Sequence, residues 1–173
     1  MNLNAIDNIR EQILDAKEKR WLKQQKIINK YQTTLISFKF NIPSWPKISS
    51  DIETAFHLVF TSFQNLLKSY NINFEVIDQE NTIVGPEAFL ISKYASEKMK
   101  IITIQFEEST SIGRLLDIDV LTPQGIPIER TTKRTCYLCN NIAIDCMRIN
   151  RHSSIDARIF FDKVINDFLK ENI

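Results

Sequence analysis

Apolar residues recur at helical spacing near both ends of the chain and in one segment between them. Over residues 4–30 they fall three or four positions apart among many charges, which predicts one long amphipathic helix. Ser50 and Glu53 form a capping box ahead of a phenylalanine stripe, which predicts a second helix over 50–70. From residue 140 to the C-terminus the pattern again favours helical structure.

Between the helical segments lie short apolar stretches bounded by turn residues, which is typical of β-strands. Several consecutive strands without long helices between them favour an antiparallel or mixed sheet. We therefore expect a single α+β domain over residues 1–173, with about five to six strands and with helices packed on the sheet. Residues 122–125, TPQG, are expected to form a hairpin turn. The predicted strands are TTLISFKF, NINFEVID, VGPEAFLISKY, KIITIQFEE, LLDIDVLT and IPIERTT.

Composition narrows the classes of function. With 43% apolar residues, the 173-residue chain has enough material for one sizeable core. Its 22 basic and 21 acidic side chains nearly cancel, so the net charge gives no support for binding to nucleic acid or to an anionic membrane. The N-terminus has no apolar leader and no stretch has membrane length, so we expect a cytoplasmic protein. The phosphate-binding loops GxxxxGKS/T and GxGxxG do not occur.

The sequence GRLLDIDV over residues 113–120 carries the clearest candidate chemistry. Side chains alternate faces along a strand, so Asp117 and Asp119 should point the same way, with Cα atoms about 6.5 Å apart. Two carboxylates on one face of an otherwise apolar strand favour a divalent cation such as Mg²⁺ that carries phosphates. The alternative is the solvated face of an antiparallel strand. The residues expected on the opposite face are Leu116, Ile118 and Val120.

Arginines near this strand are candidate phosphate ligands, since a guanidinium can donate two parallel hydrogen bonds to a phosphate. Gly113 would let the backbone at Arg114 approach a ligand. A third acid that joins the pair or orients a nucleophile is expected among Glu87, Glu107 and Glu108. The candidate arginines, for each of which solvated surface charge is the alternative, are Arg114, Arg130, Arg134 and Arg148.

Cys136, Cys139, Cys146 and His152 have the ligand types of a Cys3His zinc site. A second interpretation is a helix that begins near Cys139, which would place Cys139 and Cys146 on an ordinary core stripe. We favour the stripe and keep zinc as the alternative. Outside a metal site, His152 would be free to donate to a phosphate or to act as a general base.

Together these residues resemble a family signature. Its elements are GRLLDIDVLxxxG from Gly113, Arg130, RxCxxC from Arg134, CxR from Cys146, and His152 followed by serine. This pattern is similar to that of citrate lyase holo-(acyl-carrier-protein) synthase, the CitX family, and weaker similarity covers most of the chain. The chain departs from the family where Thr110 and Ser111 replace a usual His-Pro and where Lys17 replaces an arginine.

The resemblance implies a CitX-like transferase domain with a nucleotidyltransferase-like fold and a defined reaction. In this family a serine of the citrate lyase acyl-carrier (gamma) subunit attacks the α-phosphate of 2'-(5''-triphosphoribosyl)-3'-dephospho-CoA. Diphosphate leaves, and the prosthetic group stays attached through a phosphodiester. By position, the resemblance makes Asp117 and Asp119 metal-binding and catalytic, with Mg²⁺ as the ion. The substrate contacts that it implies are Arg114, Arg130, Arg134, Arg148 and His152.

Two other functions fit the same residues. A zinc-stabilised, non-catalytic binding module would use the Cys/His set structurally and leave the aspartates solvated. A related carrier-protein transferase, such as one that serves malonate decarboxylase, would use the same chemistry on another carrier. The metal content and the choice of apo-carrier would separate these alternatives from the reaction above.

Overall fold

The computed structural model describes residues 3–139 and 141–173 and contains one sheet with helices on both faces. The strands are β1 (Thr34–Phe40), β2 (Glu75–Thr82), β3 (Gly85–Ser92) and β4 (Leu116–Leu121). The helices are α1 (Leu3–Tyr31), α2 (Ser50–Ser69), α3 (Ser96–Ser109), α4 (Ala143–Arg148) and α5 (Ser154–Asn172), and Gly113–Leu115 forms a 3-10 turn. In these residues the strand order is β2-β3-β1-β4, with every neighbouring pair antiparallel. The α+β class is therefore confirmed, with four strands where five to six were predicted.

The side chains of the central strand β1 divide between two apolar layers. Phe38 and Phe40 face the layer built with α2, α3 and α5. Leu35 faces the other layer, beneath α1. This division follows from the alternation of side chains along a strand and from the apolar composition of TLISFKF. Lys39 is the exception in that composition, and by alternation it lies on the α1 face.

Phenylalanine rings fill the layer on which α2 packs. The ring centroid of Phe38 lies 5.7, 5.2 and 5.3 Å from those of Phe56, Phe60 and Phe63, which follow one face of α2. All four side chains are buried, and burying each of them contributes about 2–3 kcal/mol to folding. The phenylalanine stripe predicted for this helix is therefore core.

The sheet face beneath α1 is apolar at one end and charged at the other. Ile27 and Ile28 of α1 pack there on Leu35, Phe89 and Leu121. Near the end of β1 and the start of β4, the same face carries lysine, aspartate and glutamate side chains instead. This charged end of the sheet positions the candidate site.

The strand predicted over residues 100–108 is wrong, because these residues belong to α3. Met99, Ile102 and Phe106 are buried at helical spacing and pack against the layer that contains α2. The β-branched residues between them favour a strand locally, but packing of this amphipathic face outweighs that preference.

The strand predicted over residues 126–132 is also wrong, although the turn before it is confirmed. Gly125 N donates to Thr122 O at 2.8 Å, and Gly125 has a φ of 78°, which glycine adopts without strain. Beyond the turn, an isolated bridge joins Leu121 to Pro127. Thr122 N donates to Ile126 O at 2.9 Å and Ile128 N donates to Val120 O at 2.8 Å on either side of this bridge, and no regular strand forms beyond them.

The helix predictions are confirmed apart from their ends. The N-cap of α2 is Ser49, whose Oγ accepts a hydrogen bond from Ile52 N at 3.3 Å, so the cap predicted at Ser50 is one residue late. The C-terminal helical region consists of α4 and α5, and residue 140, its predicted start, lies outside the described residues. No helix in the described part of the chain combines the length and apolar character that crossing a bilayer requires.

Candidate active site

Asp117 and Asp119 lie together on the α1 face of β4, as the alternation predicts. The intervening Ile118 and the flanking Leu116 and Val120 are buried in the core layer on the opposite face. The aspartate side chains are 36% and 48% exposed, which leaves their outer oxygens accessible to water or to a ligand. The prediction that the pair shares one face of the strand is therefore confirmed.

Lys39 of the neighbouring β1 lies between the two carboxylates. Its Nζ donates to Asp117 Oδ2 and, at 3.0 Å, to Asp119 Oδ2. Lys39 is the register partner of Asp117, so strand pairing places the ammonium beside the carboxylate pair. Sequence patterns alone do not single out this lysine, although a lone charge inside TLISFKF is a signal that could identify it. The two carboxylates thus converge on one cation, which is an ammonium.

The cations around Asp117 determine its charge state. Burial by itself raises the pKa of Asp117, but Lys39 together with the more distant Arg134 and Lys100 outweighs burial and holds the pKa below its usual value. Arg134 Nη1 lies 3.9 Å from Asp117 Oδ1, on the side away from Lys39. The Asp117 carboxylate is therefore ionised at neutral pH.

In the described part of the chain, no third carboxylate joins the pair within ligand distance. Glu87 of β3 is the register partner of Lys39, on the side of β1 opposite to Asp117. Lys39 therefore lies between Glu87 and the aspartate pair. The Glu87 side chain is only 3% exposed, and its Oε2 accepts a hydrogen bond from Arg20 Nε of α1. The other two candidate glutamates bind arginines: Glu107 accepts from Arg130 and Arg134, and Glu108 Oε1 accepts from Arg130 Nη2 at 2.9 Å.

A cavity of about 490 Å³ opens beside the start of β4. Arg114, Arg130 and Arg134 line it, so three of the four candidate arginines come together. Arg148 is exposed on α4 and does not line the cavity. The aspartate pair is not part of the cavity lining. Arg134 links the cavity to the pair, because it lines the cavity and also lies beside Asp117.

Glu107 of α3 fixes two of these arginines. Its side chain is 5% exposed, and it accepts hydrogen bonds from Arg134 Nη2 at 2.6 Å and from Arg130 Nη1. Glu107 also accepts from Ile118 N at 3.1 Å, while Lys100 Nζ donates to Ile118 O at 2.9 Å. These two side chains satisfy backbone groups of β4 that have no partner strand, since β4 is an edge strand. Burial raises the pKa of Glu107, and the two arginines oppose that shift.

Gly113 allows the close packing that precedes Arg114. A Cβ at this position would lie 1.9 Å from the backbone oxygen of Glu107, so the close approach that glycine allows here is to α3. Gly113 also lines the cavity, and its predicted approach to a ligand stays a prediction. Arg114 Nη2 donates to Thr135 O at 2.8 Å. Arg114 is otherwise exposed and, as far as the described residues go, keeps donors for a ligand, whereas the donors of the other two cavity arginines are largely engaged.

Four metal-ligand side chains converge beside the cavity. One ligand atom from each of Cys136, Cys139, Cys146 and His152 lies within 4.8 Å of all the others. The Sγ atoms of Cys139 and Cys146 are 3.5 Å apart, and His152 Nε2 lies 3.2 Å from Cys139 Sγ. Tetrahedral zinc, with Zn–S bonds of about 2.3 Å, requires sulfur atoms about 3.8 Å apart. We call this set the Cys/His cluster, and its spacing allows it to hold a metal ion.

The core-stripe interpretation of these cysteines is wrong. The helix begins at Ala143, so Cys139 lies in the preceding loop and not on a helical face. Two backbone hydrogen bonds close this loop, from Cys136 N to Asn141 O at 2.6 Å and from Ala143 N to Arg134 O at 2.9 Å. The closed loop brings its two cysteines to the start of α4, where the third cysteine lies.

The thiols of the Cys/His cluster differ in acidity. Hydrogen bonds from Asn141 and His152 lower the pKa of Cys139 to about 6. Burial raises the pKa of Cys146 to about 11, and the thiols of Cys139 and Cys136 act in the same direction. Binding of a divalent metal would deprotonate all three thiols. Contact with Cys139 orients His152 as a member of the cluster, which favours its role as a metal ligand.

Known proteins match the chain over the region that contains this site. Residues 9–168 match the family model for apo-citrate lyase phosphoribosyl-dephospho-CoA transferase, CitX. The "Probable apo-citrate lyase phosphoribosyl-dephospho-CoA transferase" of Streptococcus pyogenes serotype M18 is 31% identical, covering 92% of this chain and 86% of the relative. The corresponding transferase of Citrobacter koseri is 28% identical, covering 90% and 87%. "Protein CitXG" of Leuconostoc mesenteroides is longer: a 29% identical match covers 94% of this chain and 36% of that protein.

These matches include the sheet, the cavity and the Cys/His cluster, so the family resemblance inferred from residues 113–153 is confirmed over nearly the whole chain. The charged end of the sheet and the arginine-lined cavity both lie inside the matched residues. The chain belongs to the apo-citrate lyase phosphoribosyl-dephospho-CoA transferase family, CitX.

Proposed function

We propose that this protein transfers the prosthetic group from 2'-(5''-triphosphoribosyl)-3'-dephospho-CoA to a serine of the citrate lyase acyl-carrier (gamma) subunit. The serine oxygen bonds to the α-phosphorus, the bond from that phosphorus to the leaving diphosphate breaks, and a proton is released. This is a nucleotidyltransferase-type reaction. The observation that carries the proposal is the carboxylate pair beside an arginine-lined cavity, with Arg134 between them.

The cavity suits the triphosphate end of the donor. Transfer at phosphorus depends mainly on positioning and on stabilising negative charge, with little covalent participation by the protein. Arg114 has free donors for a phosphate, and Glu107 holds Arg130 and Arg134 in place before a ligand arrives. Arg148 lies outside the cavity, so this assignment leaves it without substrate contact.

The donor set of Asp117 and Asp119 fits magnesium, which prefers carboxylate oxygens, phosphate oxygens and retained waters. Both side chains are partly exposed, and among the described residues none donates to Asp119 Oδ1. A bound Mg²⁺ would neutralise charge on the α-phosphate and on the leaving diphosphate. Lys39 Nζ lies between the Oδ2 atoms, so the ion either displaces this ammonium or binds beside it.

A magnesium titration of transfer activity with the Lys39→Gln variant distinguishes these two arrangements. If the ammonium competes with the ion, the variant should reach full activity at a lower Mg²⁺ concentration than the wild type. If the two cations act together, the variant should be slower at saturating Mg²⁺. Transfer that is independent of Mg²⁺ in both proteins would remove the ion from the proposal.

We propose zinc as the ion of the Cys/His cluster. Three thiolates and one imidazole form a closed ligand set of the kind that zinc takes in structural sites. The cysteines are free thiols, which fits a reducing cytoplasm, where thiols more often bind metal than form disulfides. The cluster lies in the segment 130–152, which also carries Arg130 and Arg134, so zinc would hold one wall of the cavity.

Incubation with apo-carrier and the triphosphoribosyl donor tests the proposed reaction. We expect the carrier to gain the mass of the phosphoribosyl-dephospho-CoA group, with one diphosphate released for each carrier modified. A carrier whose acceptor serine is replaced by alanine should stay unmodified. No modification by zinc-loaded protein at saturating Mg²⁺ would contradict the reaction and favour a non-catalytic binding module. Preferential modification of the malonate decarboxylase carrier, offered in parallel, would instead identify the related transferase.

A further inference from the structure

Lys47 is a half-buried lysine without a carboxylate partner in the described part of the chain. It lies in the loop 41–49, which joins β1 to α2. Its Nζ donates to the carbonyl oxygen of Ile42 in the same loop. A carbonyl satisfies one donor but carries no net charge, so the positive charge of Lys47 stays uncompensated.

Two further cations lie near Lys47. Arg158 of α5 donates from Nη1 to the carbonyl oxygen of Pro46, the residue before Lys47. Burial lowers the pKa of Lys47, and the positive charges of Arg158 and Lys17 lower it further. One carboxylate belongs to this group, that of Asp162, which accepts from Arg158 Nε at 2.8 and 2.9 Å.

We call Lys17, Lys47 and Arg158 the basic cluster, and it differs from the other cations near the site. Lys39 and Arg130 each donate to a carboxylate. The basic cluster has three cations for one carboxylate, and no acid lies three or four residues from Lys17 on α1. Lys47 and Arg158 are partly removed from water, where like charges repel one another, and only Arg158 has a carboxylate partner among the described residues. Lys17 is exposed beside them, and such an excess of positive charge marks a place where an anion binds.

The basic cluster borders the cavity. Asn41, which begins the loop, and Ala157, which precedes Arg158, both contribute to the cavity lining. A ligand whose reactive end lies in the cavity can therefore extend across this rim to the three cations.

We propose that the basic cluster binds the diphosphate that joins the adenosine and pantetheine parts of the donor. This inference rests on the proposed function, in which the donor carries two separate polyphosphate groups. The triphosphate is the reacting group and is assigned to the arginine-lined cavity. The diphosphate is unchanged by the reaction and needs its own cations, which ammonium and guanidinium groups supply. An acidic carrier surface would contact mainly exposed side chains, whereas only Lys17 of the three cations is exposed. Lys47 is half-buried and anchored to Ile42, and the Arg158 side chain is 21% exposed.

Calorimetric titrations with dephospho-CoA and with inorganic tripolyphosphate separate the two sites. Lys47→Gln should weaken dephospho-CoA binding at least about 10-fold and leave tripolyphosphate binding unchanged. Arg114→Gln should have the opposite effect. Lys17→Gln should weaken dephospho-CoA binding by about 3-fold, and it removes an exposed side chain that has no hydrogen-bonded partner among the described residues, so the fold should be unaffected. Lys93→Gln, at an exposed position just after β3, is the control and should change neither affinity.

Unchanged dephospho-CoA affinity in both lysine variants would overturn the inference. Equal weakening of both ligands would also overturn it, because that result indicates a general effect of charge. Loss of apo-carrier binding with unchanged dephospho-CoA affinity would assign the basic cluster to the protein partner instead. Carrier modification by the wild-type protein is measured separately, so failure of this inference is distinguishable from failure of the proposed function.

Discussion

The aspartate pair on β4 and the Cys/His cluster are both sets of metal-ligand side chains, yet the fold assembles them in opposite ways. Asp117 and Asp119 are placed by a paired strand, and Lys39 already supplies a cation between them. The Cys/His cluster is placed by a loop, a six-residue helix and the residues after it. In the described chain, no lysine or arginine is hydrogen-bonded to its ligand atoms.

This difference separates a site that keeps its geometry by itself from one that depends on an ion. Strand pairing and Lys39 hold the two aspartates whether or not a phosphate is bound. Two backbone hydrogen bonds close the loop, but thiols form only weak hydrogen bonds, so the side chains of the Cys/His cluster have little to hold them together without a metal. Metal binding would then supply folding free energy to the segment 130–152. The two regions should therefore respond differently to the same perturbation.

Removal of the metal should have the largest effect. Chelation, or the Cys146→Ser variant, should open the segment 130–152 and abolish transfer, because a structural zinc ion binds with a free energy on the order of 10 kcal/mol. Hydrogen exchange followed by mass spectrometry should show amides of this segment exchanging at least about 100-fold faster, with β1 and β4 unchanged. Purified protein should contain one zinc ion per chain. Absence of metal, or equal protection after chelation, would refute the structural role of zinc.

Replacing Glu107 should have the next largest effect. The Glu107→Gln variant leaves Arg130 and Arg134 without a full negative charge in a buried position, so unfolding in urea should be easier by about 3 kcal/mol. Glu108→Gln is the matched control, since Glu108 pairs with Arg130 at 2.9 Å but is 63% exposed. Glu108→Gln should lower the free energy of unfolding by less than about 1 kcal/mol. Equal costs for the two variants would show that Glu107 does not organise the cavity wall.

Replacing Asp119 tests the role of the carboxylate pair in catalysis. We expect Asp119→Asn to lower the transfer rate at least about 100-fold while the fold survives, because Lys39 keeps its bond to Asp117. Asp78→Asn is the control: Asp78 pairs with Lys23 at 2.7 Å beneath α1, away from the cavity. Stopped-time assays of carrier mass measure both variants. A normal rate in Asp119→Asn would exclude the pair from the mechanism.

The pH dependence of stability should show the smallest effect. The pKa of Asp117 is lower in the folded protein than in the unfolded chain, so its stabilising contribution is present above the unfolded pKa of about 4. It is lost as the pH falls through the folded pKa. Solvent screening limits the contribution to about 0.5–1 kcal/mol, because the side chain is 36% exposed. The difference in unfolding free energy between wild type and Asp117→Asn should therefore shrink below pH 4, and a difference that grows in acid would contradict the assigned shift.

Local periodicity explains which predictions succeeded. The phenylalanine stripe of α2 and the alternation along β4 depend on neighbours in the chain, and both are confirmed. The strand predicted over 100–108 failed because its β-branched residues fit a strand locally, while the burial of Met99, Ile102 and Phe106 requires a helix. The prediction that Cys139 and Cys146 form a core stripe failed for a related reason. Cys139 lies in a loop that closes before Ala143, and loop closure leaves no periodic signal in the sequence.

The sequence by itself determined the family, the principal helices, the shared face of the two aspartates and the types of ligand available for a metal. Only the tertiary structure decided which charges meet. Lys39 lies 78 positions from Asp117 in the chain, and Glu107 lies 27 positions from Arg134, yet each pair is in direct contact. Periodicity reports neighbours within one element, whereas such partners are set by strand register and by the packing of separate elements. For the same reason, the convergence of the Cys/His cluster became visible only in the folded chain.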